Sequence, residues 1–219
     1  MNRTGQSISN IIIHCSAGYG DLASMRRFWR SMGWRSDGYH RLVDLDGSIL
    51  EVTPFNLPSN GVAGYNANSI HICYRGGVLR ENTTKAADSR TPEQKTGLKV
   101  AINEALRWID QNGGDVSKIR IKGHRDFSPD KDGNGVIASW ERIKECPSFD
   151  AIPEYSHMVS DYLVKKGINT AASMEYTVRA GDTLYSIARL YSGITADSIG
   201  KLNSIKNGSI KVGQRLKIK

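Results

Sequence analysis

Short apolar runs of strand length alternate with helical stripes along the first three quarters of the chain. Ile8–His14 (ISNIIIH) is an apolar run that predicts a buried strand. Asp21–Met32 places Leu22, Met25, Phe28, Trp29 and Met32 on one helical face, with Gly33 as the stop. Tyr39–Val43 and Ser48–Val52 flank Asp46-Gly47, a type I′ hairpin signal. Ser69–Tyr74 (SIHICY) predicts another buried strand. The best-marked helix opens at Thr91-Pro92-Glu93-Gln94: Thr91 suits the N-cap, Pro92 suits N1, and Gln94 completes a capping box. Leu98, Ala101, Ile102, Ala105, Leu106 and Ile109 form its stripe, and Gly113-Gly114 ends it. Lys118–Lys122 alternates as a strand should, Ser139–Glu145 reads as a short helix, and Asp150–Lys166 reads as a longer one. Helices set between strands predict an α/β fold, a sheet with helical cover.

The rhythm changes after residue 167. Gly167–Ser173 (GINTAAS) is small and polar, a linker composition. Tyr176–Ile218 then repeats the whole cycle in miniature: a strand, a helix with Leu184, Ile187 and Ala188 that Asp182 can cap, a second short helix with Ile199 and Leu202, and a final strand Arg215–Ile218. The expected division is residues 1–167, a linker over 168–174, and a small module over 175–219.

Composition narrows the functional classes. The chain has 219 residues, 39% hydrophobic and 24% charged, an ordinary globular balance that argues against disorder. Its net charge of +8 suits a polyanionic partner such as nucleic acid, an anionic membrane or an anionic cell wall. The basic residues form no dense block, so nucleic acid is not favoured. No apolar run approaches the roughly 18–20 residues that span a bilayer, so membrane insertion is not expected. Met1–Asn10 is polar, and the expectation is synthesis in the cytoplasm without a signal peptide. Three widely spaced cysteines, Cys15, Cys73 and Cys146, do not read as a disulfide framework.

The sharpest chemistry lies in His14, Tyr39, His124, Lys144 and Cys146. His14 ends the first strand, His124 follows the Lys118–Lys122 strand, and Cys146 opens Cys146-Pro147-Ser148-Phe149-Asp150. Strand ends on one side of a sheet can gather ligands from distant sequence. Two imidazoles and one thiolate make a zinc set with a fourth position open. Each histidine taken singly reads first as a satisfied structural residue, and the spacing is not a local ligand motif. Cys15, next to His14, should face the opposite side of the strand. His71 and Cys73, two apart, share a face, for which plain packing is preferred over a second soft site.

Ile11–Ala17 (IIIHCSA), Gly38-Tyr39-His40, Gly64-Tyr65-Asn66 through Ile70, Gly123–Asp126 (GHRD) and Lys144–Asp150 (KECPSFD) occur in order. Together they resemble the type 2 N-acetylmuramoyl-L-alanine amidase family, which includes phage lysozyme-type amidases and peptidoglycan recognition proteins, over residues 8–165. The resemblance implies a mixed central β-sheet flanked by helices. It implies zinc held at His14, His124 and Cys146, with Tyr39 and Lys144 assisting catalysis. The implied substrate is the amide between N-acetylmuramic acid and L-alanine in peptidoglycan. Family members commonly carry a histidine three residues before the Gly-x-Asn segment, where this chain has Gly61.

Asp130–Glu141 (DKDGNGVIASWE) matches the twelve-residue EF-hand loop, with Asp130, Asp132, Asn134, the Val136 carbonyl and Glu141 at the calcium-ligand positions. A polar Asp/Gly turn is the competing reading. Tyr176–Ala188, Ile199–Asn203 and Val212–Ile218 resemble a LysM domain, a βααβ unit that binds N-acetylglucosamine-containing glycans. In this reading Gly181–Leu184 and Ser204–Ile210 line the sugar groove. The overall expectation is a monomeric zinc amidase acting on the bacterial wall after release, as a phage or prophage endolysin. A recognition protein without catalysis is the alternative, and the presence of Cys146 with Tyr39 and Lys144 speaks against it.

Overall fold

A computed structural model describes residues 2–135, 137–168, 175–191 and 194–218. The first core is built on a five-stranded sheet. Its strands are β1 (Asn10–Cys15), β2 (Arg41–Val43), β3 (Ile49–Glu51), β4 (Ser69–Tyr74) and β5 (Arg120–Gly123), in the order β3-β2-β4-β1-β5. β1 pairs in parallel with β4 and β5, β2 pairs in parallel with β4, and only β3 runs antiparallel. The sheet is therefore mixed, with helices over it.

Alternation along the strands assigns the two faces. Ile11, Ile13 and Cys15 of β1, Ile70, Ile72 and Tyr74 of β4 and Val43 of β2 pack with helix α2 (Pro92–Gln111). This is the main core, and the α2 residues Leu98, Ala101, Ile102, Ala105, Leu106 and Ile109 are all fully buried in it. The predicted capping box is present: Thr91 Oγ1 accepts from the Gln94 N–H, and Gln94 Oε1 accepts from the Thr91 N–H. The other face carries Leu42 and Cys73 against Trp29 of helix α1 (Leu22–Ser31), whose N-cap is Asp21. Only part of the predicted α1 stripe is used. Trp29 is buried and Leu22 and Met25 pack beside it, but Phe28 and Met32 are exposed.

The hairpin differs from the expected type I′ turn. Gly47 has φ 83°, but Asp46 is not at positive φ, and the Gly47 N–H donates to Asp44 O (2.9 Å). The loop is one residue longer, with Gly47 as the left-handed bulge residue. Gly47 also lies against α2: a Cβ there would sit 2.6 Å from Glu93 O, and one at Gly97 would sit 2.5 Å from Gly47 O. The helix and the turn meet backbone to backbone. Residues 118–119 of the predicted strand lie outside β5, because Val116–Lys118 forms a 3₁₀ turn behind Asp115. The predicted helix Ser139–Glu145 is reduced to a 3₁₀ turn, Ser139–Glu141, and residues 142–146 leave it in non-helical conformation. The last predicted helix is two segments, α3 (Ala151–Tyr155) and α4 (His157–Lys165), joined at Ser156.

The C-terminal residues hold a separate small core. β6 (Glu175–Thr177) and β7 (Arg215–Lys217) pair antiparallel, with α5 (Leu184–Ala188) and α6 (Ala196–Leu202) between them in sequence. Val178, Leu184, Ile187, Ala188, Ile199, Leu216 and Ile218 fill that core. Thr183, not Asp182, caps α5; Asp182 instead accepts from the Arg179 N–H (2.7 Å) and the Tyr176 hydroxyl (2.9 Å). Five of the seven residues of the predicted linker (169–173 of 167–173) lie outside the described residues.

Candidate metal centre

The C-terminal ends of the parallel strands deliver the chemistry, where an α/β sheet usually opens a site. His14 lies near the end of interior strand β1, on the face opposite the α2 core, and is buried. His124 follows β5 directly, so its ring stands beside that of His14, with centroids 4.9 Å apart. Cys146 comes from the segment after the 130–141 loop, and its Sγ is 3.8 Å from His14 Nδ1. One donor atom from each of His14, His124 and Cys146 lies within 4.8 Å of the others. The three residues singled out in sequence therefore converge.

The Cys146 segment is fixed to the sheet at several points. The Cys15 N–H donates to Cys146 Sγ (3.2 Å), and the Arg125 N–H donates to Cys146 O (2.7 Å). The Tyr74 hydroxyl donates to Pro147 O (2.7 Å), and the Ser148 hydroxyl donates to Gly77 O (2.8 Å). Arg125 pairs with Asp150, and Pro147 sits so close to Gly123 that a Cβ there would lie 2.6 Å from its Cδ. Cys15 itself faces the main core, as strand alternation requires.

Burial pushes all three donors toward their neutral forms. Desolvation, then neighbouring His71 and His124, hold His14 well below its ordinary pKa. Desolvation, then Lys144, lowers His124 to about 4. Desolvation, then Cys15, raises Cys146 well above its ordinary value. The cluster thus presents two neutral imidazoles and a thiol, a set of N and S donors of the kind that a divalent ion such as zinc takes. The donor chemistry fits such an ion.

Tyr39 closes one wall. Its ring centroid is 5.1 Å from that of His14 and 5.6 Å from that of Trp29. Burial, then the neighbouring cysteines, raises its pKa well above 10, so the phenol keeps its proton. Lys144 is exposed on the non-helical stretch before Cys146, and its charge acts on both His14 and His124.

One contact was missed in sequence. His14 Nε2 lies 3.1 Å from Nδ1 of His71, so His71 is not merely packed but touches a donor residue. The period-2 alternation placed His71 and Cys73 on one face. The sequence did not say that His14 shares it, because the β1–β4 register is a long-range fact.

The 130–141 loop gathers Asp130, Asp132 and Glu141, with carboxylate oxygens within 4.8 Å of one another. Asp130 accepts from the N–H groups of Gly133 (2.8 Å) and Gly135 (2.7 Å). Asp132 accepts from the backbone N–H of Asn134 (3.1 Å) and from its side-chain amide (2.9 Å). Glu141 is fully buried and accepts from the Lys131 and Ala138 N–H groups (2.6 and 2.7 Å). Val136, the predicted carbonyl ligand, lies outside the described residues.

Comparison with known proteins places both parts of the chain. The family model described as N-acetylmuramoyl-L-alanine amidase matches residues 4–148, and the LysM domain model matches residues 176–219. An endolysin of Enterobacteria phage K11 is 28% identical over 149 residues, 66% of this chain and 83% of the phage protein. An uncharacterized protein of Haemophilus influenzae is 37% identical over 106 residues, 48% of this chain and 84% of its own length. The X-ray structure of Apis mellifera PGRP-SA superposes with a TM-score of 0.50 at 20% identity, covering 71% of this chain and 85% of that one, a likeness of fold.

Proposed function

The chain belongs to the N-acetylmuramoyl-L-alanine amidase family, and on that premise we propose that it is a zinc-dependent peptidoglycan hydrolase of the endolysin type. The bond it cuts is the amide between N-acetylmuramic acid and L-alanine of the stem peptide. The observation that carries this reading is the convergence of His14, His124 and Cys146 donor atoms at the open end of the parallel strands. Similarity to phage endolysins supports the biological role.

In this reading His14, His124 and Cys146 hold the ion. Bound there, zinc supplies Lewis acidity, making water a nucleophile near neutral pH and polarising the scissile carbonyl. The remaining work falls to the chain's own groups. Tyr39, whose phenol stays protonated, orients the attacking water and donates to the oxygen on which charge develops. Lys144, a cation acting on the same cluster, stabilises the tetrahedral oxyanion. The half-buried Tyr39 ring packs edge-on against the buried Trp29 ring.

The proposed division is a catalytic unit over residues 1–167, a linker over 168–174 and a LysM unit over 175–219. The LysM unit binds glycan and raises the local concentration of the hydrolase at the polymer. The 130–141 loop is proposed to hold calcium in a structural role, on the strength of its EF-hand spacing and three converging carboxylates. Adding calcium to zinc-restored protein should raise its melting temperature; no change in melting or activity removes this part.

Purified peptidoglycan digested with the protein and analysed by mass spectrometry tests the main reading. New L-alanine amino ends with intact glycan are the expected products. New reducing sugar ends would point to a glycosidase and refute it.

A further inference from the structure

His71 has no part in the proposed catalytic steps, yet it is fully buried and its ring is held from several sides. Its backbone N–H donates to Nδ1 of His40 (2.9 Å), and the two rings stack with centroids 5.7 Å apart and planes 13° from parallel. Gly61 clears the other side: a Cβ at that position would lie 2.2 Å from His71 Nδ1. Only a residue without a side chain leaves room for the imidazole. With the ring so placed, His71 Nδ1 stands 3.1 Å from His14 Nε2.

The two nitrogens of His14 therefore face different partners. Nδ1 points toward Cys146 Sγ (3.8 Å) and Nε2 toward His71. A neutral imidazole that offers the Nδ1 lone pair to a metal must carry its proton on Nε2. His71 Nδ1 is the atom within reach of that proton. The His71 proton then resides on its own Nε2, which has no hydrogen-bond partner among the described residues.

We propose that His71 is a positioning residue for the metal centre: its Nδ1 accepts the Nε2–H of His14 and so holds the His14 ring in the tautomer and orientation that turn Nδ1 toward Cys146. This rests on the zinc reading given above. Gly61 belongs to the same device, because it vacates the space in which the His71 ring lies. An acceptor behind a ligating histidine raises its basicity and removes ring freedom, and losing one typically costs 10–100-fold in metal affinity.

The test compares two substitutions of nearly equal shape. In His71→Asn the amide oxygen falls at the same bond distance from Cα as Nδ1 and can accept; in His71→Leu nothing accepts. Zinc affinity is measured by chelator competition on the full chain. The leucine variant should bind zinc about 10–100-fold more weakly than wild type, and the asparagine variant should stay within about threefold. Equal affinities for the two variants, at any level, overturn the proposal. Should His71→Leu fail to fold, NMR of the zinc-loaded wild type decides. A ¹⁵N–¹⁵N coupling across the His14 Nε2–H···Nδ1 His71 bond is expected, and a proton on His14 Nδ1 overturns it. The premise is checked separately by Cys146→Ala: zinc binding unchanged in that variant removes the metal centre itself, and with it this proposal.

Discussion

Tyr74→Phe removes one oxygen from a fully buried residue and leaves the ring in place. In the native chain that hydroxyl donates to Pro147 O at 2.7 Å, next to Cys146. Tyr74 has 0% exposure, so water cannot easily replace the lost donor. The substitution thus leaves a buried carbonyl short of a partner, which costs about 1–3 kcal/mol. For a chain of this size each kcal/mol lowers Tm by roughly 2–4 °C, so a loss of about 2–12 °C is expected. The effect should also reach the metal centre, since Pro147 follows Cys146 directly. The gain in Tm on adding zinc to metal-depleted protein, an expression of ligand linkage, should shrink in the variant. Thermal melts followed by circular dichroism, with and without zinc, measure both. A Tm within about 1 °C of wild type would show that this bond contributes no net stability, against the cost expected for a buried unpaired carbonyl.

Other expectations follow from the same geometry. Cys146→Ala should abolish release of L-alanine amino ends and leave far-ultraviolet circular dichroism unchanged; undiminished hydrolysis would refute the donor set. Gly97→Ala should destabilise by up to about 2 kcal/mol in a denaturant melt, because overpacking against Gly47 O, at about 1–3 kcal/mol, outweighs the helix-propensity gain of about 1 kcal/mol. Ile187→Ala empties the centre of the small C-terminal core at a cost of about 2–5 kcal/mol, more than a core that size can absorb. Sedimentation with peptidoglycan should fall while zinc affinity stays the same.

What could be read in the sequence was local. The limits of β4 and the start of α2 coincide with the apolar run Ser69–Tyr74 and the capping box at Thr91, because those signals sit in the residues themselves. The donor residues were readable through a family pattern, not through their spacing. The misreadings fall where context decides. Asp46-Gly47 suits a type I′ turn, but the turn must also fit against Glu93 of α2, and a longer loop with Gly47 as bulge results. Ser139–Glu145 has helical composition, but Glu141 spends its carboxylate on the N–H groups of Lys131 and Ala138 and the stretch ends after one turn. Asp182 has the right chemistry for a cap, yet the Arg179 N–H and the Tyr176 hydroxyl claim it and leave Thr183 to cap α5. The role of His71 was hidden for a related reason: it depends on which strand β4 lies beside.

The strand order also sets a timetable for biosynthesis. β1 leaves the ribosome first but lies between β4 and β5, so it waits for both neighbours before its edges are paired. His14 waits longer still, since its sulfur counterpart is 132 residues downstream. Non-local parallel pairing of this kind is slow. A nascent or truncated chain that ends before residue 146 lacks one of the three converging donors whatever else has folded, so the proposed metal centre is completed only when the first core is nearly whole.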